Sequence, residues 1–414
     1  MARRSLRPGA SPTKWRSAIG SFRGNIWRLF TVQALIMFIL WVPIWVVFLQ
    51  RKGLNLTEIG LLEAAAWLIT AALEVPTGAI ADRWGRKASI AIGAFAYAMS
   101  MFLILADALS PLFLLGYALW NSSSAFVSGA DSALLYDSLR ADGRAAEAAK
   151  QMGRYTAIQQ GSQGIASLAG AALATVDITL CFTLCGIGAL VASALALTMK
   201  EPPHTDEEGE VRLGYWKNVR AAIEIAARRP IVRALLLLSA MILVVPLVVY
   251  YALLQPYALV VGLPIASLGV VVVGVQSTNV VASWLAHRTQ GRFALTNVVT
   301  AGVAVLLIAT GALALFPSIP AVALMLAVAL VPALCGPLLT AHLNDLIPSA
   351  QRATILSLSA LLFELGLAIA MPLLLASADR FGAPAAIGVA TGALAITVLP
   401  FLFIWRTSER TMPA

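Results

Sequence analysis

The sequence is poor in charged side chains. Asp, Glu, Lys and Arg make up only 12% of its 414 residues, whereas 60% are hydrophobic and the mean hydropathy is +0.85. A water-soluble chain of this length needs far more polar surface, so the composition excludes a soluble fold for most of the protein. The apolar runs reach roughly 18 residues or more, which is long enough for helices that cross a bilayer, and we predict an all-α membrane protein.

Cysteine and histidine are scarce as well. The cysteines lie inside apolar runs, at Cys181, Cys185 and Cys335, which argues against a disulfide framework. The histidines are too scattered to build a catalytic or metal-ligating cluster, since they stand at His204, His287 and His342. We therefore predict no metal, no cofactor and no enzymatic activity. A membrane enzyme or a receptor stays a distant alternative, because a receptor is expected to carry a larger soluble region than residues 200–230.

Positive charge is nearly absent from one side of the predicted membrane. With the N-terminus placed in the cytosol, 26 of the 29 Lys and Arg residues fall on the cytosolic side, and Arg51, Lys52 and Arg380 fall on the other. This asymmetry follows the positive-inside rule, so both termini are predicted to be cytoplasmic. Membrane topology therefore accounts for the net charge of +9, and we predict no nucleic-acid partner.

The hydropathy pattern predicts twelve transmembrane helices, numbered here as segments 1 to 12. Segments 1 to 6 are expected at about Ile26–Gln50, Thr57–Ala79, Ala88–Ala106, Pro111–Leu139, Met152–Val176 and Ile178–Met199. Segments 7 to 12 are expected at about 231–257, 265–287, 293–316, 319–344, 353–377 and 384–406. The predicted organisation is a tail (1–25), a six-helix bundle (26–199), a cytoplasmic linker (200–230), a second six-helix bundle (231–406) and a tail (407–414).

A charged, glycine-bounded stretch separates segments 2 and 3 and is predicted to form a tight cytosolic loop. Its defining residues are Gly78, Asp82, Arg83, Gly85 and Arg86. This pattern could belong to an ordinary cytosolic loop, but its spacing resembles the loop between the second and third helices of the major facilitator superfamily of transporters. The resemblance implies a rocking pair of six-helix bundles, with Asp82 and Arg86 latching helix ends together in the outward-facing state. It also implies that segments 1, 4, 7 and 10 line a central cavity.

The two halves of the chain repeat a second pattern. Asp137 precedes Arg144 by seven residues, Asp345 precedes Arg352 by seven, and the two pairs are offset by 208 residues. This repetition predicts that the second bundle repeats the architecture of the first. The acid–Arg pairs are expected to act as cytosolic gate latches.

Four carboxylates fall inside predicted membrane segments, at Glu364, Asp131, Glu63 and Glu74. Ionisable groups within a membrane are costly, so each is a candidate for proton coupling or substrate binding. Glu364 lies nearest the centre of its segment, away from every Lys and Arg, and is expected to hold a proton for part of a transport cycle. The alternatives are a permanently protonated Glu364 bonded to a neighbour, and a Glu74 that serves the latch.

Polar and aromatic side chains on the predicted segments are candidates for lining the cavity. They are Gln33, Trp41, Trp45, Asn121, Ser124, Ser128, Tyr250 and Tyr251. A stripe on segment 8 that includes Gln276 and Asn279 is instead interpreted as hydrogen bonding between helices. Aromatic faces beside carboxylates suit cationic or lipophilic compounds, whereas the lack of internal Lys and Arg disfavours anionic ones.

The resemblance and the carboxylates together predict proton-coupled export of a lipophilic or cationic small molecule by a secondary transporter. The chain looks like a bacterial branch near the drug exporters, and we expect a monomer in the bacterial inner membrane. The helix-5 signature of the drug antiporters is degraded here, because Ala166–Ala171 lacks its proline. Uptake of a neutral metabolite such as a sugar is the alternative function.

Overall fold

The computed structural model describes residues 22–202, 220, 224, 227–289, 292–347 and 349–411. Side chains at residues 71, 73–84, 283, 287, 349–351, 353–354 and 408–411 lie outside this description. The described secondary structure is helical throughout, as predicted. We call the end of the molecule that carries Arg51, Lys52 and Arg380 the outer end, and the opposite end the inner end.

The first half of the chain forms six helical segments, two of which are interrupted. Segment 1 consists of the helix Arg23–Ile36, the 3-10 turn Val42–Ile44 and the short helix Trp45–Arg51. Segment 4 consists of the two helices Pro111–Val127 and Ala130–Ala141. Segments 2, 3, 5 and 6 are the helices Leu56–Trp84, Arg86–Leu103, Ala148–Leu173 and Ile178–Leu197.

The second half forms six more segments. Segment 7 is the helix Pro230–Leu247, a π-helical stretch Val248–Leu253 and the helix Leu254–Val260. Segments 8 to 12 are the helices Ile265–Thr289, Leu295–Leu315, Leu324–Asp345, Ser349–Phe381 and Ala383–Thr411. Of the described helices, seven are long and apolar enough to cross a membrane, and they are segments 6 to 12. Twelve membrane spans therefore remain a prediction, as do the exact bundle boundaries.

The packing of the first six segments is repeated by the last six. Segment 3 packs against 4 and 6, segment 1 against 6, and segment 2 against 4. Their counterparts six positions later pack in the same way, with segment 9 against 10 and 12, segment 7 against 12, and segment 8 against 10. The two halves meet where segment 2 packs on 11 and segment 5 packs on 8, and this pair of contacts is also related by the repeat.

Two predicted helices are broken where a continuous helix was expected. Segment 1 was expected to run to about Gln50, but its first helix ends at Ile36. The non-helical backbone there packs on segments 5 and 6, because the Leu40 N–H donates to the Cys185 sulfur at 3.3 Å and the Leu40 carbonyl packs directly on Gly170. Segment 4 breaks at Gly129, whose φ of +81° is favourable only for glycine.

The predicted loop between segments 2 and 3 is a single residue. Segment 2 stays helical through Trp84, and only Gly85, with φ +88°, separates it from the helix that starts at Arg86. The prediction of a loop from Gly78 onward was therefore wrong. The predicted roles of Glu74, Gly78, Asp82 and Arg83 depend on side chains outside the described residues.

Candidate functional site

A cavity of about 440 Å³ lies between the two halves of the molecule. Segments 1, 4, 7 and 10 line it, as the family resemblance implied, and segments 5 and 8 also contribute. Its aromatic lining residues are Trp41, Trp120, Tyr250 and Tyr251, and its carboxamides are Gln160, Gln163, Gln255, Gln276 and Asn279. None of the described residues that line it is charged, so this central cavity offers aromatic faces and amide hydrogen bonds.

A second cavity of about 340 Å³ lies inside the first half and adjoins the central cavity. Ile39 and Trp120 line both. The other lining residues of this second cavity that carry polar groups are Gln33, Tyr97, Ser123, Ser124, Ser128, Asp131 and Gln159. Among the described residues that line either cavity, Asp131 is the only carboxylate. It is therefore the acidic group beside the uncharged central cavity.

The break in segment 4 positions Asp131. Because the helix restarts at Ala130, the carboxylate of Asp131 lies in a first helical turn, where backbone N–H groups favour negative charge. It accepts a hydrogen bond from its neighbour's backbone N–H at 2.6 Å and another from the hydroxyl of Tyr155 in segment 5. Asp131 is only 8% exposed, and the nearby Gln33 only 2%.

Glu63 of segment 2 is held in a different environment. Its carboxylate accepts hydrogen bonds from the Trp45 indole nitrogen at 2.7 Å and from the Tyr117 hydroxyl at 2.9 Å. Trp45 also packs edge-on against Trp120, with ring centroids 5.1 Å apart. Glu63 is therefore buried behind the aromatic wall of the central cavity and is not among the described residues that line either cavity.

Glu364 is buried close to where the two halves pack together. Its neighbour Phe363 packs edge-on against Trp67 of segment 2, with ring centroids 6.0 Å apart. One turn along, Gly366 lies so close to Val244 that an added Cβ would stand 2.8 Å from the valine side chain. Glu364 is 6% exposed and lines neither of the two cavities.

The remaining predicted lining residues divide between several positions. Gln33, Ser124 and Ser128 line the second cavity, and Trp41, Tyr250 and Tyr251 line the central one. Trp45 lies behind the aromatic wall of the central cavity, where it donates to Glu63. The Asn121 amide donates to the Tyr117 carbonyl at 2.9 Å. Gln276 and Asn279 line the central cavity, although their stripe was interpreted as a helix contact; Ser283 and His287 in that stripe have side chains outside the description.

Sequence reasoning missed several polar residues at the site. Gln160 and Gln163 of segment 5 and Gln255 of segment 7 line the central cavity, and Gln159 lines the second one. Carboxamides inside apolar helices are costly in the same way as carboxylates, so the cluster Gln159, Gln160 and Gln163 was a usable signal. Tyr117 and Tyr155 carry no comparable signal, because tyrosine is common in membrane helices.

The predicted latch pairs are formed differently. Arg86 makes an ion pair with Asp137 of segment 4 and donates to the Ala133 carbonyl at 2.8 Å. Arg144 pairs instead with Glu147, through two hydrogen bonds of 2.8 Å. The predicted Asp137–Arg144 pair was therefore wrong, because Arg144 lies beyond the end of the helix that carries Asp137.

The corresponding pair in the second half is not formed either. Arg352 donates to the Asn344 carbonyl at 3.1 Å, and Asp345 lines a small cavity beside His342. At the inner end of the first half, Glu201 accepts hydrogen bonds from the backbone N–H groups of Arg86 at 2.7 Å and Lys87 at 3.0 Å. A linker carboxylate thus caps segment 3 beside the Arg86–Asp137 pair.

The two halves are tightly packed toward the outer end. A Cβ added at Gly60, near the start of segment 2, would stand 2.8 Å from the Pro372 Cα in segment 11. A Cβ added at Gly269, near the start of segment 8, would stand 2.5 Å from the Ser167 carbonyl in segment 5. Both contacts lie beyond the central cavity, so the bundle interface is closed on its outer side.

Comparison with known proteins agrees with this architecture. The model of the Major Facilitator Superfamily matches residues 26–330. No curated protein sequence matches significantly. The structure is similar to that of the nucleoside transporter NupG, with a TM-score of 0.74, 12% identity, and coverage of 92% of this chain and 99% of that one. It is also similar to a bacterial homologue of the human lysosomal transporter Spinster, captured inward-facing and unoccupied, with a TM-score of 0.71, 17% identity, and coverage of 98% and 100%.

A D-xylose–proton symporter is similar as well, with a TM-score of 0.65, 15% identity, and coverage of 93% and 97%. At these identities the structural similarity shows the fold alone. The family match covers most of the chain, and the repeated packing and central cavity are those that the resemblance implied. The chain belongs to the major facilitator superfamily and is a multi-pass membrane transporter.

Proposed function

We propose that the protein is a secondary active transporter that works by alternating access and is seen here facing inward. Its twelve segments cross the bacterial inner membrane with both termini in the cytoplasm, and it acts as a monomer. The tight packing of Gly60 and Gly269 across the bundle interface supports a closed outer side. Rocking of the two halves then exposes the central cavity to either side in turn.

The cargo is a lipophilic small molecule that carries one positive charge. The observation that carries this proposal is the position of Asp131, a lone carboxylate beside an uncharged aromatic cavity. A cationic group placed near Asp131 is attracted by the carboxylate and by the aromatic faces around it. The apolar body of the cargo packs on Trp120 and Tyr250 and buries apolar surface there. Anionic compounds find no compensating Lys or Arg among the described lining residues.

Proton antiport follows from the same carboxylate. A buried acid that holds a proton is neutral and does not attract a cation, whereas the ionised acid does. Proton and cargo therefore compete for Asp131, and an inward proton gradient drives the cation outward. Glu63 and Glu364 remain candidate proton carriers, since both are buried carboxyl groups within the helical segments.

The alternative cargo is a neutral polar metabolite taken up with or without protons. Five carboxamides around the central cavity favour this alternative, because amides bind hydroxyl and carbonyl groups without requiring charge. Two of the similar structures are of a nucleoside transporter and a xylose symporter. Transport of a cationic cargo requires the Asp131 carboxylate, whereas binding of a neutral metabolite by the carboxamides does not.

Inside-out vesicles with an imposed pH gradient test the proposal. Accumulation of a fluorescent lipophilic cation is compared for the unmodified chain, Asp131→Asn and the control Asp177→Asn. Asp177 undergoes the same chemical change but caps its own helix at the outer end, through the Thr179 N–H at 2.8 Å. We expect gradient-dependent accumulation that Asp131→Asn abolishes and Asp177→Asn preserves. Accumulation that ignores the gradient overturns the antiport proposal and favours uptake.

A further inference from the structure

Helix N-termini leave backbone N–H groups that need acceptors from outside the helix. The helix Trp45–Arg51 begins beside the central cavity and runs to the outer end, and the helix Leu56–Trp84 begins at the outer end. Each receives acceptors from a side chain of the second bundle. An acceptor that crosses the bundle interface satisfies these groups only while the outer side is closed.

Gln255 of segment 7 caps the first of these helices. Its side-chain oxygen accepts from the Val46 N–H at 2.8 Å and the Val47 N–H at 3.2 Å. Its amide nitrogen donates to the Val42 carbonyl at 3.2 Å. The residue at the N-cap position, Ile44, makes no side-chain cap. Gln255 therefore caps this helix from the other bundle, a role that a Ser or Asp at the N-cap position usually has.

Asp379 near the end of segment 11 caps the second helix. Its carboxylate accepts from the Leu56 N–H at 3.1 Å, the Thr57 N–H at 2.9 Å and the Thr57 hydroxyl at 2.7 Å. The local cap Asn55 serves only the Glu58 N–H, at 2.8 Å. The start of segment 2 is thus satisfied partly by its own residues and partly by the other bundle.

Together these two side chains make six hydrogen bonds from the second half of the molecule to the first. All of them lie at the outer end or on the outer wall of the central cavity. We propose that Gln255 and Asp379 form the outer gate of the transporter, as inter-bundle helix caps that stabilise the inward-facing state. Opening the outer side separates four backbone N–H groups from their acceptors, so each cap favours the closed outer side.

Gln255 has a second role that Asp379 lacks. It lines the central cavity, whereas Asp379 does not, so cargo in the cavity contacts one gate residue and not the other. Cargo that hydrogen-bonds to the Gln255 carboxamide competes with Val46 and Val47 for it. This role rests on the proposed function, because it requires that cargo occupy the central cavity. Asp379 then stabilises the closed outer side whether or not cargo is bound. Gln255 links cargo binding to opening of the outer side.

Distances between spin labels test the gate directly in the full-length protein. Labels at Arg51→Cys and Val260→Cys report the outer opening, since both positions are exposed and belong to different bundles. The three native cysteines are buried and are left unlabelled. We expect Asp379→Ala and Gln255→Leu each to raise the outward-open fraction about fivefold, the typical strength of one helix cap. Asp379→Asn keeps one acceptor oxygen and is expected to give a smaller increase.

Asp177→Ala is the matched control, because it removes a cap at the outer end that stays within one helix. It is expected to lower thermal stability without changing the distance distribution. The gate proposal is overturned if the Asp379 and Gln255 variants leave the distribution unchanged, or if Asp177→Ala shifts it equally. Either result is independent of cargo, so failure of the antiport proposal does not affect this test.

Addition of ethidium, a lipophilic cation whose aromatic amino groups can donate to the Gln255 side-chain oxygen, separates the two caps. In the unmodified chain and in Asp379→Ala, the probe is expected to shift the distance distribution further toward the open form. In Gln255→Leu this shift is expected to be lost while the probe still binds, as measured by calorimetry. An equal shift in both variants overturns the coupling role of Gln255 and leaves Asp379 as the gate.

Discussion

Arg86 at the start of segment 3 forms an ion pair with Asp137 of segment 4, within one bundle. The pair is partly buried, with side-chain exposures of 26% and 16%. It therefore stabilises the first bundle as a unit and does not bridge the two halves. This position differs from the predicted Asp137–Arg144 pair, which joined residues close in sequence.

Removing either member of this pair should destabilise the protein. We expect Arg86→Gln and Asp137→Asn each to cost about 1–2 kcal/mol, because each leaves a partly buried charge without its partner. The double variant should cost less than the sum, which a double-mutant cycle on thermal unfolding measures. Arg144→Gln is the control, and its cost should add to that of Asp137→Asn. Additive costs for Arg86 and Asp137 would contradict the ion pair.

Trp45→Phe should destabilise the protein through Glu63. The substitution keeps most of the aromatic packing but removes the indole N–H that donates to the buried carboxylate at 2.7 Å. Loss of a hydrogen bond to a charged or acidic group costs about 1.5–3 kcal/mol. Trp41→Phe is the matched control, because its indole donates to the neutral Tyr97 hydroxyl at 3.0 Å. Thermal unfolding should show a larger loss for Trp45→Phe, and equal losses would contradict the role of Glu63.

Gly170→Ala should displace the broken part of segment 1. A Cβ at this position would stand 1.8 Å from the Leu40 carbonyl oxygen, a distance that only backbone movement relieves. We expect a cost of about 3 kcal/mol or more, at the upper end of overpacking in a core. Gly164→Ala on the same helix meets nothing within 4 Å and is expected to be tolerated. Yield and thermal unfolding compare the two, and similar behaviour would contradict the close contact.

Glu147 should titrate in strong acid. Two hydrogen bonds from Arg144, and one from Gln151, lower the pKa of its carboxyl from 4.5 to about 2. Because the folded pKa is depressed, the stabilisation is fully present above the unfolded pKa and is lost as the pH falls through about 2. Carbon-13 NMR of labelled glutamate measures this titration. Arg144→Gln should return it toward the ordinary range, and an unchanged titration would contradict the pairing.

Much of the fold follows from the sequence because membrane solvation imposes it. Apolar length predicts the helices, and the spacing around Gly85 predicts the family. The breaks in segments 1 and 4 were not predictable in the same way. Met37–Trp41 is apolar and lacks glycine and proline, and its unwinding depends on Gly170 and Cys185 in other helices.

The candidate site was predictable in its charges and less so in its contacts. The cost of a buried acid singled out Asp131 and Glu63, and the structure places both beside the cavities or their wall. Position along a helix favoured Glu364, but lining a cavity depends on helix rotation, which the sequence does not specify. The partner of Asp137 depended on where segments 3 and 4 meet, and not on sequence separation.

Competition between a lipophilic cation and a proton for the Asp131 carboxylate is tested most directly by proton release. Tetraphenylphosphonium is added to the purified protein in weakly buffered detergent with a pH indicator, and calorimetry measures binding in parallel. The unmodified chain should release up to about one proton per bound cation. Asp131→Asn should release none, and Asp177→Asn should behave as the unmodified chain. Binding without proton release, or equal release from Asp131→Asn, would contradict proton antiport through Asp131.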